Sequence, residues 1–271
     1  MSYLDKMFGL GGKTVAITGG GGVIAGAMSE SLLNAGANVA LWDIKKEFSD
    51  GAVARLTEST GAADRLLSVE SDAMNHESVG VAIKETEGNF GALDILINAA
   101  GGNRGKSTFL ETDMEQFEFV LKLNLIAGLM VPTQVVAKHW IDHDANGAII
   151  NLASMASYIP LSGVWAYDAA KSAVMNLTMA AAKEFAPHGI RVNALAPGFF
   201  IGKQNRALLI DEESGDLTPR GQSVIDHTPF ARFGEVAELS GATLFLCSNS
   251  AAGFVTGVTI PVDGGYLIQN I

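Results

Sequence analysis

Three side chains suited to moving a proton lie near one another in the sequence: Ser154, Tyr167 and Lys171. If a helix begins at about Gly163, Tyr167 and Lys171 stand four residues apart on one face, where the phenol and the ammonium can reach each other. A phenol titrates near pH ~10 in isolation, and a nearby cation favours its ionised form, so the pair can act as acid or base close to neutrality. Ser154, at a predicted strand end, could hydrogen-bond the oxygen that gains or loses the proton. These residue types indicate redox chemistry between a carbonyl and an alcohol.

The composition favours a small polar ligand over a nucleic acid or a membrane. The 271 residues can bury a large core, and we expect one catalytic domain over 1–271. With 18 Lys and Arg against 29 Asp and Glu, the net charge is −11, which argues against nucleic acid and anionic membranes as main partners. The single Cys247 excludes an internal disulfide, and neither it nor the histidines have metal-site spacing, so no metal is expected. Charges within Met1–Lys13, where a secretory leader would be apolar, predict a cytoplasmic protein.

A glycine turn near the start of the chain predicts a phosphate-binding site. The apolar run Lys13–Thr18 is predicted as a strand, Gly19 to Gly22 as a turn and Val23–Gly36 as a helix. Glycines let the backbone approach a pyrophosphate without intervening Cβ atoms, and the helix N-terminus offers free N–H groups and a positive dipole. We predict that this turn binds a dinucleotide through Gly19, Gly21, Gly22, Val23 and Ile24.

A carboxylate after the second strand selects between the two nicotinamide dinucleotides. Asn38–Asp43 is the predicted strand, and Asp43 at its end can accept hydrogen bonds from the ribose hydroxyls. The same charge would repel a 2′-phosphate, so NAD is favoured over NADP, although Lys45 and Lys46 could offset this repulsion. Alternatively, Asp43 caps the next helix and the lysines are solvated.

Further short strands end in residues that could continue the cofactor site. Predicted strands cover 66–69, 93–98, 147–152, 190–196 and 258–262. Asp72, after the first of these, is placed to bind the adenine amino group or, alternatively, to cap a helix predicted at 75–90. Strands alternating with helices predict an α/β fold, a Rossmann-type doubly wound parallel sheet of about seven strands with helices on both faces. Ligands bind at the strand ends of such sheets. The further predicted cofactor residues are Asp72, Ala73, Asn98, Ala99, Ala100, Gly101, Tyr167, Lys171, Pro197, Gly198 and Phe200.

Asn124 is an unusual residue for its predicted position. A single long helix can run from Thr112 to about His143, and Asn usually prefers helix caps because its side chain competes for backbone bonds. Asn124 is either a buried amide with satisfied bonds, or it distorts the helix to hold a water that contacts Lys171.

The ordered set of these motifs closely resembles the short-chain dehydrogenase/reductase family over nearly the whole chain. The resemblance implies that Tyr167 is the acid/base, that Lys171 lowers its pKa and holds the nicotinamide ribose, that Ser154 polarises the carbonyl and that Asn124 maintains a proton relay. It also implies a homotetramer with 222 symmetry. One departure is that Val23 and Ala25 replace the last two glycines of the family turn. The motifs are Thr18-Gly19, Asn98-Ala-Ala-Gly101, Asn124, Ser154, Tyr167-x-x-x-Lys171 and Pro197-Gly198.

The segment 199–232 is predicted to be an irregular substrate loop or lid. Its sequence resembles the D-mannonate oxidoreductases, also called fructuronate reductases, in the sugar-acid branch of the family. A sugar acid needs a cation for its carboxylate and amides or imidazole for its hydroxyls. Lys106 is a further cation that could bind the carboxylate, and Met155 could instead belong to the hydrophobic core. The predicted substrate residues are Arg104, Ser154, Met155, Tyr167, Gln204, Asn205, Arg206 and His227.

Other substrates stay open at this point. They are gluconate, a deoxy sugar acid, a polyol and a 3-oxoacyl thioester. A non-catalytic dinucleotide-sensing protein is the alternative from another functional class. It is disfavoured because a protein that had lost catalysis should lack at least one of Ser154, Tyr167 and Lys171, and all three are present.

Overall fold

The computed structural model describes residues 2–201, 206–211 and 214–269, and within them seven strands form one parallel sheet. The sheet order is β3-β2-β1-β4-β5-β6-β7. The chain therefore winds outward in one direction from β1 to β3, returns to the centre, and winds the other way from β4 to β7. The strands are β1 (Thr14–Thr18), β2 (Asn38–Asp43), β3 (Leu66–Glu70), β4 (Leu93–Asn98), β5 (Gly147–Leu152), β6 (Ile190–Pro197) and β7 (Thr259–Val262).

Helices connect the strands and cover both faces of the sheet. They are α1 (Tyr3–Phe8), α2 (Val23–Asn34), α3 (Lys46–Thr60), α4 (His76–Phe90), α5 (Met114–Leu121), α6 (Val131–Asp142), α7 (Trp165–Phe185), α8 (Arg206–Leu209), α9 (Pro219–Asp226), α10 (Ser240–Cys247) and α11 (Asn249–Ala252). This is a single α/β domain with a Rossmann-like doubly wound sheet, which confirms the predicted fold class.

Alternating strand residues build a separate core on each face. Ile17 of β1 packs with Leu32 of α2 on one face, and Leu96 of β4 packs with Trp140 of α6 on the other. A buried parallel sheet needs strands that are apolar on both sides, and the burial of all five β1 residues meets that need. The helical stretch Met114–Asp142 has a mean hydropathy of 1.6 and the length to cross a membrane, but half of its most apolar window is buried within the protein. The part of this stretch in α6 packs in the second core through Val136 and Trp140.

Two predicted elements differ from the structure. The long helix predicted from 112 to 143 runs from Met114 to Asp142, but it contains a π-helical segment, Lys122–Met130, between α5 and α6. The predicted irregular segment 199–232 contains two short helices, α8 and α9. Helix α9 begins after Thr218, whose side chain accepts a hydrogen bond from the Gly221 N–H, with Pro219 in the first turn. Thr followed by Pro is a helix-start signal that the sequence carried.

Candidate active site

The glycine turn after β1 leaves the start of α2 open. Gly22 precedes the helix, and no side chain among the described residues caps its first N–H groups. A Cβ on Gly20 would lie 2.7 Å from the Leu41 Cβ, and one on Gly21 would lie 2.7 Å from the Phe48 Cβ. The turn can therefore sit tightly on β2 and α3 only with glycine, and it presents free N–H groups to an anion. This arrangement fits the pyrophosphate of a dinucleotide, with Val23 exposed and Ile24 partly buried beside it.

Asp43 shapes the turn from the end of β2. Its Oδ2 accepts the Gly21 N–H at 3.0 Å, and its Oδ1 has only a 3.5 Å contact with the Lys45 N–H. Lys45, not Asp43, occupies the cap position of α3. Asp43 is thus not a helix cap, and its second oxygen remains able to accept a ribose hydroxyl. Of the two neighbouring lysines, Lys46 donates to the Ser68 carbonyl at 2.9 Å.

The turn after β4 is held by β1 and by Asn124. The Ala99 and Ala100 N–H groups both donate to the Thr18 Oγ1 at 3.1 Å. Asn124 makes a reciprocal pair of bonds with Gly102: its Oδ1 accepts the Gly102 N–H at 3.1 Å, and its Nδ2 donates to the Gly102 carbonyl at 2.6 Å. Its Nδ2 also donates to the Val120 carbonyl at 2.8 Å. The side chain of Asn124 is therefore a satisfied buried amide that fixes the β4 turn.

The helix is distorted where Asn124 lies. The Asn124 amide competes for the carbonyl four residues back, and the helix is π-helical over Lys122–Met130. Such π segments occur frequently at functional sites. Gly128 on the same segment lies so close to the β4 turn that an added Cβ would stand 2.7 Å from the Ala100 carbonyl oxygen. The π segment thus brings Asn124 and Gly128 against the turn that follows β4.

Ser154, Tyr167 and Lys171 converge at the ends of β5 and α7. Ser154 follows β5 and is buried, Tyr167 lies on the first turn of α7, and the Lys171 ammonium is 5.5 Å from the Tyr167 ring centroid. The Lys171 Nζ donates to the Leu152 carbonyl at 2.7 Å, which anchors it beneath the phenol. A Cβ on Gly101 would lie 2.7 Å from the Asn124 Oδ1 and 3.6 Å from the Lys171 Nζ. The structure therefore brings the four predicted catalytic side chains, Asn124 included, to one place.

Burial favours the neutral forms of both Tyr167 and Lys171. Loss of water raises the pKa of Tyr167; a hydrogen bond with Ser154 opposes this shift and the charge of Asp168 adds to it. Burial lowers the pKa of Lys171 to about 8. The pKa of Tyr167 is therefore raised overall, because desolvation outweighs the other influences on the phenol, and the expectation that Lys171 lowers this pKa stays a prediction. Tyr167 is a protonated phenol at neutral pH.

Known proteins resemble this chain in sequence and in fold. The family model described as enoyl-(acyl carrier protein) reductase matches residues 21–267. The chain belongs to the short-chain dehydrogenase/reductase family. It is therefore an oxidoreductase of that family, which uses a dinucleotide cofactor.

Among curated relatives of this short-chain dehydrogenase/reductase, the uncharacterized oxidoreductase UxuB of Bacillus subtilis is 40% identical over 96% of this chain and 97% of its own. The 2-dehydro-3-deoxy-D-gluconate 5-dehydrogenase of Escherichia coli is 34% identical over 97% of this chain and 98% of its own.

Two crystal structures share the fold over almost their whole length. A candidate D-mannonate oxidoreductase from Haemophilus influenzae, with NAD bound, has a TM-score of 0.88 and 37% identity over 98% of this chain and 99% of its own. A gluconate 5-dehydrogenase from Burkholderia cenocepacia, in complex with NADP and tartrate, has a TM-score of 0.86 and 33% identity over 99% of this chain and 100% of its own.

The other predicted cofactor-binding residues of this dehydrogenase differ in how deeply they are buried. Asp72 turns the chain after β3: its Oδ1 accepts the Met74 N–H, while Asn75 caps α4, so the cap alternative for Asp72 is wrong. Asp72 and Ala73 are partly buried beside this turn. Asn98 is fully buried, and its Nδ2 donates to Thr133 and Asn151 at 2.9 and 2.8 Å, so its side chain connects β4 with α6 and β5. Pro197 at the end of β6 is buried, and of the residues that follow, Gly198 is partly buried and Phe200 is buried.

The predicted substrate residues are scattered. Met155 is 1% exposed within an apolar cluster, so the core alternative describes its side chain. The Arg104 guanidinium lies 4.3 Å from the Phe119 ring centroid, which directs it to α5. His227 is exposed, and its Nδ1 is bonded to the Ser223 carbonyl oxygen at 2.7 Å. Arg206 is exposed at the start of α8, and Gln204 and Asn205 lie outside the described residues.

Sequence reasoning missed Ser157, which links the catalytic elements. Its Oγ accepts the Ser154 N–H at 3.3 Å and donates to the Lys171 carbonyl at 2.6 Å. The Ser154 Oγ in turn accepts the Ala156 N–H at 3.2 Å, completing a capping box. Two serines three residues apart are a signal for such a reciprocal cap. Ser157 thus fixes the Ser154 turn to α7.

Proposed function

We propose that the protein is an NAD(H)-dependent oxidoreductase that interconverts a secondary alcohol and a ketone on a sugar acid, with D-mannonate and D-fructuronate as the substrate pair. The observation that carries the proposal is the convergence of Ser154, Tyr167 and Lys171 beside a turn suited to a dinucleotide. The sugar-acid class is supported by relatives named for 2-dehydro-3-deoxy-D-gluconate and gluconate. The pair itself is supported by the candidate D-mannonate oxidoreductase with the same fold.

In this proposal Tyr167 is the acid of ketone reduction. The bound dinucleotide supplies a hydride to the carbonyl carbon. Because burial raises the pKa of Tyr167, the phenol holds its proton at neutral pH and can give it to the carbonyl oxygen. Ser154, which shares a hydrogen bond with Tyr167, polarises the same oxygen. In the oxidation direction the proton returns to the phenolate.

Lys171 and Asn124 support this proton transfer. With a pKa of about 8, Lys171 is mostly charged at pH 7, and its ammonium stabilises the phenolate that forms when the proton leaves. Asn124 holds the β4 turn against this centre. That Asn124 maintains a proton relay and that Lys171 holds the nicotinamide ribose stay proposals drawn from the family.

The cofactor is proposed to be NAD, held by the glycine turn and Asp43. The Oδ1 of Asp43, which makes only a long 3.5 Å contact with the Lys45 N–H, suits a ribose 2′-hydroxyl and repels a 2′-phosphate. Lys46 donates to the Ser68 carbonyl, whereas the exposed Lys45 can still offset part of this repulsion. One structure of the same fold is bound to NAD and another to NADP, so NADP is the second candidate.

The segment 199–232 is proposed to close over the substrate within the one domain spanning 1–271. It follows β6 at the same edge of the sheet as Ser154 and carries Arg206 and His227. Gluconate is a second candidate substrate class, favoured by the relatives that are named for it.

The test is a matched pair of tyrosine variants. Tyr167→Phe should lower kcat with D-fructuronate and NADH by about 10³-fold or more, because it removes the acid, and should leave NADH binding within a fewfold. Tyr3→Phe, on the exposed helix α1, should behave as wild type. Turnover by Tyr167→Phe at the wild-type rate would refute the role of the phenol. Turnover of neutral ketones but of no keto acid by wild type would refute the substrate class.

A further inference from the structure

The geometry points to Lys106 as the cation that binds the substrate carboxylate and so selects anionic sugars, an inference that rests on the proposed sugar-acid function. Lys106 lies between β4 and α5, on the loop that leaves the sheet beside the catalytic centre. A six-carbon acid carries its carboxylate several bonds from the reacting carbon. The cation that binds it should therefore stand to the side of Tyr167.

The stem of Lys106 is seated on the residue that leads into the catalytic helix. Gly163 has φ +77, and a Cβ there would lie 2.7 Å from the Lys106 Cγ and 2.9 Å from its Cε. Glycine at 163 therefore permits the turn and also leaves room for the lysine stem. Tyr167 lies four residues further along the chain.

Neighbouring hydrogen bonds hold the Lys106 loop against Gly163. The Ser107 N–H donates to the Gly163 carbonyl at 3.2 Å, and the Trp165 Nε1 donates to the Ser107 carbonyl at 3.2 Å. Phe109 packs edge-on against the Trp165 ring at 5.4 Å. The loop that carries Lys106 is thus fastened to the first residue of α7, two residues before Tyr167.

The ammonium of Lys106 has no carboxylate partner among the residues the structure describes. Some lysines do, since Lys13 pairs with Asp94 at 2.7 Å and Lys138 with Asp142 at 2.8 Å, while others of the described residues, such as Lys84 on α4, are unpaired but lie away from the catalytic helix. In a chain of net charge −11, an unpaired ammonium held beside the catalytic helix can receive an anionic ligand. A carboxylate would form a charge-assisted hydrogen bond with it.

The rival cation on the same loop is already engaged. Arg104 stacks on Phe119 at 4.3 Å, on the α5 side of the loop. A guanidinium in this position gains cation–π attraction that it would lose on turning to the substrate. Lys106 has no such competing contact in the described part of the chain, and this difference favours it over Arg104.

The experiment measures KM and kcat for D-fructuronate with saturating NADH in wild type, Lys106→Met, Lys106→Arg and the control Lys84→Met, an exposed lysine on α4. We expect Lys106→Met to raise KM about 10- to 50-fold with kcat within about threefold, because the lost bond is made in the ground state and the transition state alike. Lys106→Arg should recover much of the loss, and Lys84→Met should match wild type. Added salt should raise the wild-type KM and change that of Lys106→Met much less.

The possible failures can be told apart. If wild type reduces D-fructuronate and Lys106→Met keeps its KM within about twofold, the inference is overturned while the proposed function stands. A KM increase in Arg104→Met without one in Lys106→Met would assign the carboxylate to Arg104 and also overturn it. If wild type reduces no sugar acid, the proposed function fails and this inference with it. NADH binding and the melting temperature of each variant show whether the fold is intact.

Discussion

The buried ammonium of Lys171 should make the protein less stable at neutral pH than at alkaline pH. Its pKa is about 8 instead of 10.5, and one pKa unit corresponds to about 1.4 kcal/mol, so keeping it charged costs the folded state roughly 3 kcal/mol. The folded pKa lies below the unfolded one, so between the two values the unfolded chain binds more protons. The penalty is therefore complete below the folded pKa and is relieved as the pH rises through the interval from 8 to 10.5.

Lys171→Met removes the charge while keeping a side chain of similar length. It also removes the bond to the Leu152 carbonyl, made at 2.7 Å, which costs about 1–3 kcal/mol at any pH. At pH 7 the two changes nearly offset each other, so the variant should be about as stable as wild type or up to roughly 2 kcal/mol more stable, although it should lose turnover.

The assay is urea unfolding of both proteins without dinucleotide at several pH values. From pH 7 to pH 9 the wild type should gain about 1 kcal/mol relative to Lys171→Met, because only the wild type sheds the buried charge. Other groups titrate in both proteins and cancel in the difference. A stability difference that does not change with pH would refute the reasoning, since the ammonium would then be as well solvated in the fold as in the unfolded chain.

Three further predictions concern the turn, the cofactor and the assembly. Gly101→Ala places a Cβ 2.7 Å from the Asn124 Oδ1, so it should lower the free energy of unfolding by about 1–3 kcal/mol and kcat at least about tenfold. The control Gly88→Ala, in α4, should fold and turn over normally. Equal kcat values for the two variants would contradict this prediction. Asp43→Asn keeps an acceptor for Gly21 but removes the charge, so the preference of kcat/KM for NADH over NADPH should fall about tenfold, and an unchanged ratio would count against the role of the carboxylate. Light scattering after size exclusion should give a mass near four times the 28.3 kDa chain, and a monomer would exclude the tetramer.

The strand framework could be predicted because each strand is a buried apolar run closed by turn residues. β2, β4 and β5 begin and end at the predicted residues, since Asp43, Asn98 and the residues after Leu152 mark the ends. The helices α8 and α9 were missed because they span only four and eight residues, which is too short for a repeating helical pattern to be recognised over several turns. Thr218 and Pro219 nevertheless mark the start of α9 in the sequence.

The site was predictable in its members but not in its electrostatics. Spacing along the chain placed Tyr167 and Lys171 on one face, and the structure has them together. Whether the pKa of Tyr167 is raised or lowered depends on how much water the surrounding elements exclude, and the local sequence does not show this. Lys106 on Gly163 is a contact between segments far apart in sequence, and only the folded chain reveals it.

Departures from the rules of local structure cluster in this one place, and that clustering supports a catalytic centre there. A mid-helix Asn124 sits in a π segment, a lysine is buried with its pKa lowered to about 8, and a phenol is desolvated. The position of a Cβ on Gly101 is 2.7 Å from the Asn124 Oδ1 and 3.6 Å from the Lys171 Nζ, so the departures share one neighbourhood. A fold selected for stability alone would fill it with apolar side chains, because a buried charge without a carboxylate costs several kcal/mol. The cost is explained if the ammonium and the phenol are needed to move a proton.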